Sequence, residues 1–230
     1  MIEEPPLLRI RQRFPRPTPE QVAVFQGVPA SLVCDAMEGR GVLDHRIKPL
    51  LTDDRRMVAG PVLPLSTGPA DIMALWASLK FVEAGDIVVS ATGAFEGCAA
   101  IGDRVCGLLK NNGAAAFVTD GMARDVPGIE AVGLPVWCRG VNPGTPFSTG
   151  PGTVGLPVQF GGQTLNPGDI LVMDQDGGVV VPLADVEAVT KQLAHVQKLE
   201  TALDQEIEDG LRMPEHVVTL LSSSKVTFLD

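Results

Sequence analysis

The sequence of 230 residues has no tyrosine and little histidine or cysteine, and this scarcity excludes several kinds of site. No two cysteines form a C-x-x-C pair, and neither residue type clusters along the chain. A disulfide framework and a zinc site both need such clusters. The scattered residues are Cys34, Cys98, Cys106, Cys138, His45, His195 and His216. We therefore expect reduced, mostly buried thiols and no zinc centre.

Long apolar runs and excess positive charge are also missing. No segment approaches the roughly 20 apolar residues that span a bilayer, and the N-terminal residues have no apolar signal region. A net charge of −10 and a pI of about 4.7 disfavour a nucleic-acid partner, which needs a basic face. The basic residues 9–16 are interpreted as a proline-broken arm that packs on a neighbour or stays mobile. The sequence predicts a soluble, cytoplasmic protein without a nucleic-acid or membrane partner.

The chain does have enough apolar residues, 45% of the total, to fill a core. Helical patterns alternate with short apolar runs in the middle of the chain, and apolar runs cluster later, which predicts an α/β fold with a mixed sheet. The proline-punctuated run 57–66 suits an edge or a bulged strand. We predict one domain at 18–210, preceded by an arm at 1–17 and followed by a tail at 211–230.

The most informative stretch begins with a predicted helix. Val105, Leu108 and Leu109 fall at helical spacing. Asp103 precedes them and is placed to accept hydrogen bonds from the free N–H groups of the first turn. The sequence Asn-Asn-Gly at 111–113 predicts the end of this helix.

A predicted strand over 114–119 follows this helix, and the Asp-Gly turn at 120–121 then leads to Arg124 and Asp125. A helix and the strand after it pack antiparallel, so Asp103 and the Arg-Asp pair can converge. They would supply two carboxylates for a hard cation, one guanidinium, and free backbone amides for an anion. An alternative interpretation is that Asp125 caps a short segment at 126–132 and that Arg124 is an ordinary surface cation.

Other sequence features indicate a functional site less strongly than this stretch does. Residues 150–155 match G-x-G-x-x-G but precede a predicted strand and open no helix, so a turn-rich loop is favoured over a dinucleotide site. Lys110 lies at the polar end of a helix, where a solvated lysine is favoured over one that forms a Schiff base. The chain has no G-x-S-x-G motif, which argues against a serine hydrolase.

Several motifs in a fixed order resemble a known family. They are Asp103-x20-Arg124-Asp125, Asp120-Gly121-x-x-Arg124-Asp125, LPVWCRG at 134–140, Asn166-Pro167-Gly168-Asp169, Asp174-x-Asp176-Gly177 and Val181-Pro182. From about residue 31 to 210 the chain resembles the RraA-like family, which includes the metal-dependent 4-hydroxy-4-methyl-2-oxoglutarate/4-carboxy-4-hydroxy-2-oxoadipate aldolases. The resemblance implies a swivelling-type β/β/α layered domain with a mixed sheet and helical N- and C-terminal extensions. It also implies trimeric rings, sometimes paired as hexamers.

The same resemblance implies roles for individual residues. Asp125 would bind Mg²⁺ or Mn²⁺ directly. Asp103 and Glu200, the latter from the C-terminal helix of the adjacent subunit, would hold the metal through water, and Glu206 is an alternative to Glu200. The remaining roles concern the substrate: Arg124 would contact its keto oxygen, and the backbone amides of Arg104 and Val105 would hold its carboxylate.

The implied activity is that of a metal-dependent (class II) lyase that forms pyruvate. It would cleave 4-hydroxy-4-methyl-2-oxoglutarate-type 2-oxo acids by a retro-aldol reaction and can also decarboxylate oxaloacetate, because both reactions pass through a pyruvate enolate. The metal and Arg124 would stabilise this enolate without a lysine imine. The alternative is a non-catalytic regulator that binds an RNA-degrading enzyme, as other family members do. Which 2-oxo acid is preferred stays open.

Overall fold

The structure is a computed structural model that describes residues 6–52 and 56–229. The first five residues of the predicted arm and the last residue of the predicted tail lie outside this part. Within it, no helix combines the length and the apolar character that crossing a membrane requires.

Short strands and helices alternate along the chain. The strands are β1 (Leu8–Ile10), β2 (Lys48–Pro49), β3 (Val58–Ser66), β4 (Ile87–Ala91), β5 (Ala99–Ile101), β6 (Ala116–Thr119), β7 (Met122–Ala123), β8 (Val136–Cys138), β9 (Gly140–Val141), β10 (Gly152–Val154), β11 (Val158–Phe160), β12 (Gln163–Leu165), β13 (Ile170–Met173) and β14 (Gly178–Val181). The α-helices are α1 (Pro19–Ala23), α2 (Ala30–Ala36), α3 (Met73–Ser78), α4 (Asp103–Asn111), α5 (Val126–Val132), α6 (Val186–Glu208) and α7 (Glu215–Leu221).

A nine-stranded mixed sheet forms the framework, in the order β1-β10-β3-β4-β6-β8-β2, with β13 on β3 and β14 on β13. Its centre, β3-β4-β6-β8, is parallel, whereas β10 and β13 pair antiparallel with β3, β14 pairs antiparallel with β13, and β2 pairs antiparallel with β8. The other two sheets are the hairpin β11-β12 and the small sheet β5-β7-β9. This arrangement confirms the predicted α/β class with a mixed sheet.

Apolar residues cover both faces of the central strands. Leu63 and Phe117 belong to a cluster with α3, α4 and α5 on one face. Val62 and Trp137 belong to a second cluster, on the other face, together with residues of β11 and β12. A third cluster packs α2 and the first half of α6 onto β13 and β14. Burial on both faces explains why the central strands are almost continuously apolar, as is usual for parallel strands.

Two local expectations need correction. Strand β6 begins at Ala116, two residues later than predicted, because Ala114 and Ala115 still belong to the connection from α4. The run with prolines is neither an edge nor a bulged strand: β3 is the central, longest strand. It changes partner from β13 to β4 after Pro61, and the carbonyl of Pro64 still accepts a hydrogen bond from Gly155. The sheet therefore tolerates the lack of a backbone N–H group at Pro61 and at Pro64.

The described part of the N-terminal arm packs on its own domain. Strand β1 pairs in parallel with β10, and the Arg16 guanidinium binds the buried carboxylate of Asp86 through two hydrogen bonds. Arg16 also lies over the ring of Phe14. Burial raises the pKa of Asp86, and the Arg16 contact opposes that rise. In place of the expected mobile or neighbour-bound arm, Leu8–Ile10 form an edge strand of this chain's own sheet, and Arg16 is held by Asp86.

Candidate active site

The small sheet brings three polar segments to one edge. Strand β7 pairs in parallel with both β5 and β9, so the carboxyl ends of the three strands lie side by side. Helix α4 begins after β5, Arg124 and Asp125 come directly after β7, and a loop that starts with Asn142 follows β9. The crevice outside the carboxyl ends of parallel strands is a common position for ligands. The predicted convergence of Asp103 with the Arg-Asp pair is therefore explained by the sheet.

The first turn of α4 presents backbone N–H groups at this edge. Gly102 is the N-cap, and Asp103 is the first helical residue. The Oδ1 atom of Asp103 accepts a hydrogen bond of 2.7 Å from the backbone N–H of Arg104, as the sequence predicted for a first-turn amide. The Val105 N–H has no acceptor within residues 6–52 and 56–229. Of the two amides predicted to hold a carboxylate, only the one of Val105 is free of a partner in this part of the chain.

Asp125 has a strained backbone at the start of α5. Its φ of 59° and ψ of 41° are left-handed, which is uncommon outside glycine and is concentrated at functional sites. Its side chain makes no capping hydrogen bond, so the capping interpretation is wrong although the residue occupies the N-cap position. Instead, its Oδ2 atom lies 3.4 Å from Nε of Arg124. The side chains of the Arg-Asp pair thus contact each other at the start of α5.

These residues line one cavity of about 480 Å³. Its lining is Ile72, Trp76, Ala99, Ala100, Ile101, Gly102, Asp103, Arg104, Val105, Arg124, Asp125 and Pro146. Two aspartates, two arginines and the start of a helix therefore line one volume large enough for a small organic acid. Lys110 is not in the lining, and its Nζ atom donates to the carbonyl of Val132, so it is not placed to form an imine there.

Two glycines leave room for the carboxylates. A Cβ atom at Gly102 would lie 2.6 Å from Oδ2 of Asp125, and a Cβ atom at Gly128 would lie 2.6 Å from Oδ2 of Asp103. Neither position could carry a side chain unless the acidic group moved. The backbone therefore approaches both carboxylates closely and restricts where they can lie.

Two carboxylates from one chain fit a hard divalent cation that keeps several waters, as Mg²⁺ usually does. Within the described residues, no three His, Cys, Asp or Glu side chains come together as a potential metal-binding group. Asp103 and Asp125 could therefore provide the protein oxygens, with water and substrate completing the coordination. Oxygen donors of this kind favour Mg²⁺ or Mn²⁺ over softer metals.

The loop after β9 holds the Arg124 side chain. The Nη1 atom of Arg124 donates to Oγ1 of Thr145 over 3.1 Å. Asn142 fixes the start of this loop, because its Nδ2 donates to the carbonyl of Glu96 and its Oδ1 accepts from the N–H of Gly144. Arg124 is therefore oriented from the sheet side by its backbone and from the loop side by a hydroxyl group.

Three cysteines close to the site remain thiols. Burial raises the pKa of Cys106 to about 12, with a further rise from the nearby Asp103 carboxylate. Burial also raises the pKa of Cys138 to about 11. The pKa of Cys98 is raised by burial and partly lowered by Arg124. Since the thiolate is the reactive form, cysteine nucleophiles are disfavoured at neutral pH.

Comparison with known proteins identifies the family of this chain. The sequence profile of the family described as RraA-like, Aldolase/RraA, matches residues 30–181, more than half of the chain. The chain belongs to the RraA-like family. The matched range contains Asp103, Arg124 and Asp125 but ends before Glu200.

Two curated relatives of this RraA-like chain have aldolase names. A protein of Halalkalibacterium halodurans named "Putative 4-hydroxy-4-methyl-2-oxoglutarate aldolase" is 31% identical over 190 residues, which cover 83% of this chain and 90% of the relative. A protein of Arabidopsis thaliana with the same name and the number 3 is 30% identical over 123 residues, 54% of this chain and 74% of the relative.

Solved structures share the RraA-like fold. The crystal structure of Streptomyces coelicolor RraAS2, described as an unusual member of the RNase ES inhibitor RraA protein family, is 30% identical with a TM-score of 0.72, and the match covers 83% of this chain and all of that chain. An uncharacterized protein from Pseudomonas syringae pv. tomato is 22% identical with a TM-score of 0.75 over 86% and 93% of the two chains. The second likeness concerns the fold alone.

Glu200 lies apart from the cavity of its own RraA-like chain. It is exposed on the second half of α6 and is absent from the cavity lining. Glu206, the alternative, is exposed on the same half. The structure thus brings together Asp103, Arg104, Val105, Arg124 and Asp125, whereas neither glutamate joins them within one chain.

Sequence reasoning missed three groups of site residues. Ile72 and Trp76 carry no predicted role, although a large apolar residue outside the core is a signal for a binding wall. Thr145 is a single hydroxyl in a loop, and no pattern points to its bond with Arg124. The roles of Gly102 and Gly128 depend on contacts across elements, which spacing does not reveal.

Proposed function

We propose that this RraA-like protein is a metal-dependent lyase that cleaves 4-hydroxy-4-methyl-2-oxoglutarate-type 2-oxo acids and releases pyruvate. One observation carries the proposal: Asp103, Arg124 and Asp125 line the same cavity beside the amide of Val105, which has no hydrogen-bond acceptor among the described residues. The aldolase names of the two curated relatives support it. The same site can decarboxylate oxaloacetate, because that reaction produces the same enolate.

The chemistry follows from where charge develops. A bound Mg²⁺ or Mn²⁺ ion supplies positive charge to the oxygens of the 2-oxo acid. Asp125 would hold this ion directly, and Asp103 would hold it through water. Arg124 donates hydrogen bonds to the keto oxygen and stabilises the negative charge that forms there when the C–C bond breaks. The amide of Val105 binds the substrate carboxylate at the positive end of the α4 dipole.

A second copy of the chain would complete the site. Beyond Val196 no residue of α6 is buried, and Leu199, Leu203 and Ile207 form an exposed apolar stripe along this half of the helix. At about 100° per residue, Glu200 lies on one border of the stripe and Glu206 on the other. We propose that the stripe packs against a neighbour in a trimer or hexamer. This contact would place Glu200 in the neighbour's cavity, where it would bind the metal through water.

Pyruvate release tests the activity. Substrate turnover is coupled to NADH oxidation by lactate dehydrogenase, with 4-hydroxy-4-methyl-2-oxoglutarate and oxaloacetate as substrates, in Mg²⁺, in Mn²⁺ and in EDTA. We expect metal-dependent release of pyruvate that EDTA abolishes. The Arg124→Ala variant should lose about 10²–10³-fold in kcat, the usual effect of removing one preorganised donor.

The matched control is Arg13→Ala, which removes an exposed arginine outside the cavity. It should keep the activity of the unmodified chain. Pyruvate release that persists in EDTA, or an Arg124→Ala variant as active as the control, would contradict the proposal.

A regulator of an RNA-degrading enzyme is the second candidate. It is favoured by the 30% identity to RraAS2, which is described as a member of an RNase inhibitor family. A binding measurement between this chain and an RNase E-type endonuclease distinguishes the two functions. Binding that inhibits the nuclease, together with no pyruvate release from either substrate, would favour the regulator.

A further inference from the structure

The cavity has an apolar wall that the proposed chemistry does not use. Ile72 and Trp76 lie one helical turn apart at the start of α3, and Pro146 comes from the loop after β9. Trp76 is 40% exposed, whereas Ala74, Leu75 and Ser78 on the other side of α3 are fully buried. A tryptophan that lines a cavity and remains accessible is suited to contact a ligand.

Buried hydrogen bonds hold this wall in place. The carboxylate of Asp71 accepts from the N–H groups of Met73, Thr149 and Gly150 at 2.7 to 3.0 Å. The backbone N–H of Ile72 also donates to the carbonyl of Phe147 over 2.9 Å. The start of α3 and the loop that carries Pro146 are therefore tied together. Contacts within the protein therefore fix the position of the wall.

The charged groups of the lining can be assigned one by one under the proposed function. Asp103 and Asp125 are used for the metal, and Arg124 is used for the keto oxygen. Only Arg104 remains, and its exposed side chain has no ion pair or hydrogen bond within the described residues. Within one chain, the cavity therefore offers the leaving half of the substrate one cation and one apolar surface. These provide a partner for one carboxylate and none for a second, and Glu200 of a neighbouring copy would add a carboxylate rather than a cation.

We infer that Ile72 and Trp76 select substrates with an apolar group at C4, so that a 4-methyl group is accepted and a 4-carboxymethyl group is rejected. The inference rests on the proposed function. A methyl group loses contact with water against the wall, whereas an added carboxylate there would be desolvated without a partner. The expected preference in kcat/KM for the 4-methyl acid is roughly 10–100-fold.

The test compares 4-hydroxy-4-methyl-2-oxoglutarate with 4-carboxy-4-hydroxy-2-oxoadipate in the full chain and in Trp76→Arg. Because Trp76 is partly exposed, an arginine can replace it without disturbing the hydrophobic core. The arginine would provide the missing cation. We expect the preference for the methyl acid to fall at least about 10-fold. The matched control is Leu108→Arg, at an exposed apolar position of α4 outside the lining, which should leave the preference unchanged.

Oxaloacetate has no branch at C4, so its decarboxylation reports on the metal and Arg124 and not on the wall. Metal-dependent decarboxylation together with equal kcat/KM for the two branched acids, or with an unchanged preference in Trp76→Arg, would overturn the inference and leave the proposed function standing. Loss of all pyruvate release in the unmodified chain would overturn both. A Trp76→Ala variant checks the wall independently, since it should weaken turnover of the methyl acid and spare oxaloacetate.

A binding measurement gives a readout besides turnover. Analogues without the 4-hydroxyl group cannot undergo retro-aldol cleavage and can be titrated against tryptophan fluorescence. Trp137 is 1% exposed, so its fluorescence should stay constant when an analogue binds. A change in fluorescence should therefore come from Trp76 and should be absent in Trp76→Phe. The 4-methyl analogue should bind more tightly than the 4-carboxymethyl analogue. The reverse order would contradict the inference.

Discussion

Glycine decides how closely the backbone approaches the two carboxylates of the cavity. Gly128 lies in α5 and faces Asp103, which belongs to the start of α4. Gly107, by contrast, lies within α4, and a Cβ atom there would lie 4.0 Å from Cγ2 of Val132, an ordinary van der Waals contact. The two positions are both helical, and they differ in whether a methyl group would displace a carboxylate.

We predict that Gly128→Ala lowers kcat/KM by about 10²-fold, because displacement of a positioned group by about 1 Å can cost that much. Gly107→Ala should keep full activity and stabilise the fold by roughly 0.5–1 kcal/mol, the gain in helix propensity. Coupled pyruvate release, Mn²⁺ binding by calorimetry and thermal unfolding provide the measurements. Normal Mn²⁺ affinity and turnover in Gly128→Ala would contradict the prediction, because metal binding and catalysis would then not depend on the observed position of the Asp103 carboxylate.

At the scale of elements, a single buried carboxylate joins α3 to the loop after β9. Burial by itself would raise the pKa of Asp71, but hydrogen bonds from the N–H groups of Met73, Thr149 and Gly150 and from the Thr149 hydroxyl lower it overall. A carboxylate whose pKa is lowered in the folded state stabilises the fold when it is ionised. Its contribution is therefore present at neutral pH and is lost in acid.

Asp71→Asn should destabilise the chain by roughly 1–3 kcal/mol at pH 7, since an amide group cannot accept all of these hydrogen bonds. The difference in unfolding free energy from the unmodified chain should stay constant above about pH 5 and shrink as the pH falls below about 4, the pKa of an unfolded aspartate. Urea unfolding of both proteins at several pH values measures this difference in unfolding free energy. Asp204→Asn, at an exposed position of α6, is the control that should show neither effect. A difference for Asp71→Asn that grows in acid would contradict the assignment.

At the scale of the whole molecule, α6 extends from the third apolar cluster into solvent. Its first half packs Val186, Val189 and Leu193 into the core, whereas its second half exposes apolar side chains. Helices in proteins gain most of their stability from packing of an apolar face. A neighbouring copy that covers the stripe would stabilise this half and would make each cavity depend on two chains.

Subunit mixing tests the shared site. We predict that Glu200→Gln and Arg124→Ala each lower pyruvate release, and that mixing the two variants under conditions of subunit exchange restores part of it. Restoration requires that one chain supplies Arg124 and its neighbour supplies Glu200. Glu206→Gln, on the other border of the stripe, is the matched control and should remain active. No recovery on mixing despite demonstrated exchange, or loss of activity only in Glu206→Gln, would contradict the assignment of Glu200.

Local chemistry in the sequence determined much of the fold. Thr18 and Gln21 form both hydrogen bonds of a capping box at the start of α1, and the glycine pair at 177–178 lies where β13 turns into β14. The alternation of helices with apolar runs indicated the α/β class. The spacing of Asp103 and the Arg124-Asp125 pair indicated one site, since a helix and the strand after it pack antiparallel. Each of these features depends on residues that are close in sequence or on a periodic pattern.

The tertiary structure alone decided what surrounds that site. Ile72 and Trp76 reach the cavity because Asp71 ties α3 to a loop almost 80 residues away in sequence. Thr145 meets Arg124, and Gly128 meets Asp103, only through packing between elements. The proline-rich strand became central because β3 pairs with partners from three distant segments. Such contacts depend on three-dimensional proximity, which spacing along one chain does not encode, and so the convergence of Asp103 with Arg124 and Asp125 was readable from the sequence while the walls and supports of the cavity were not.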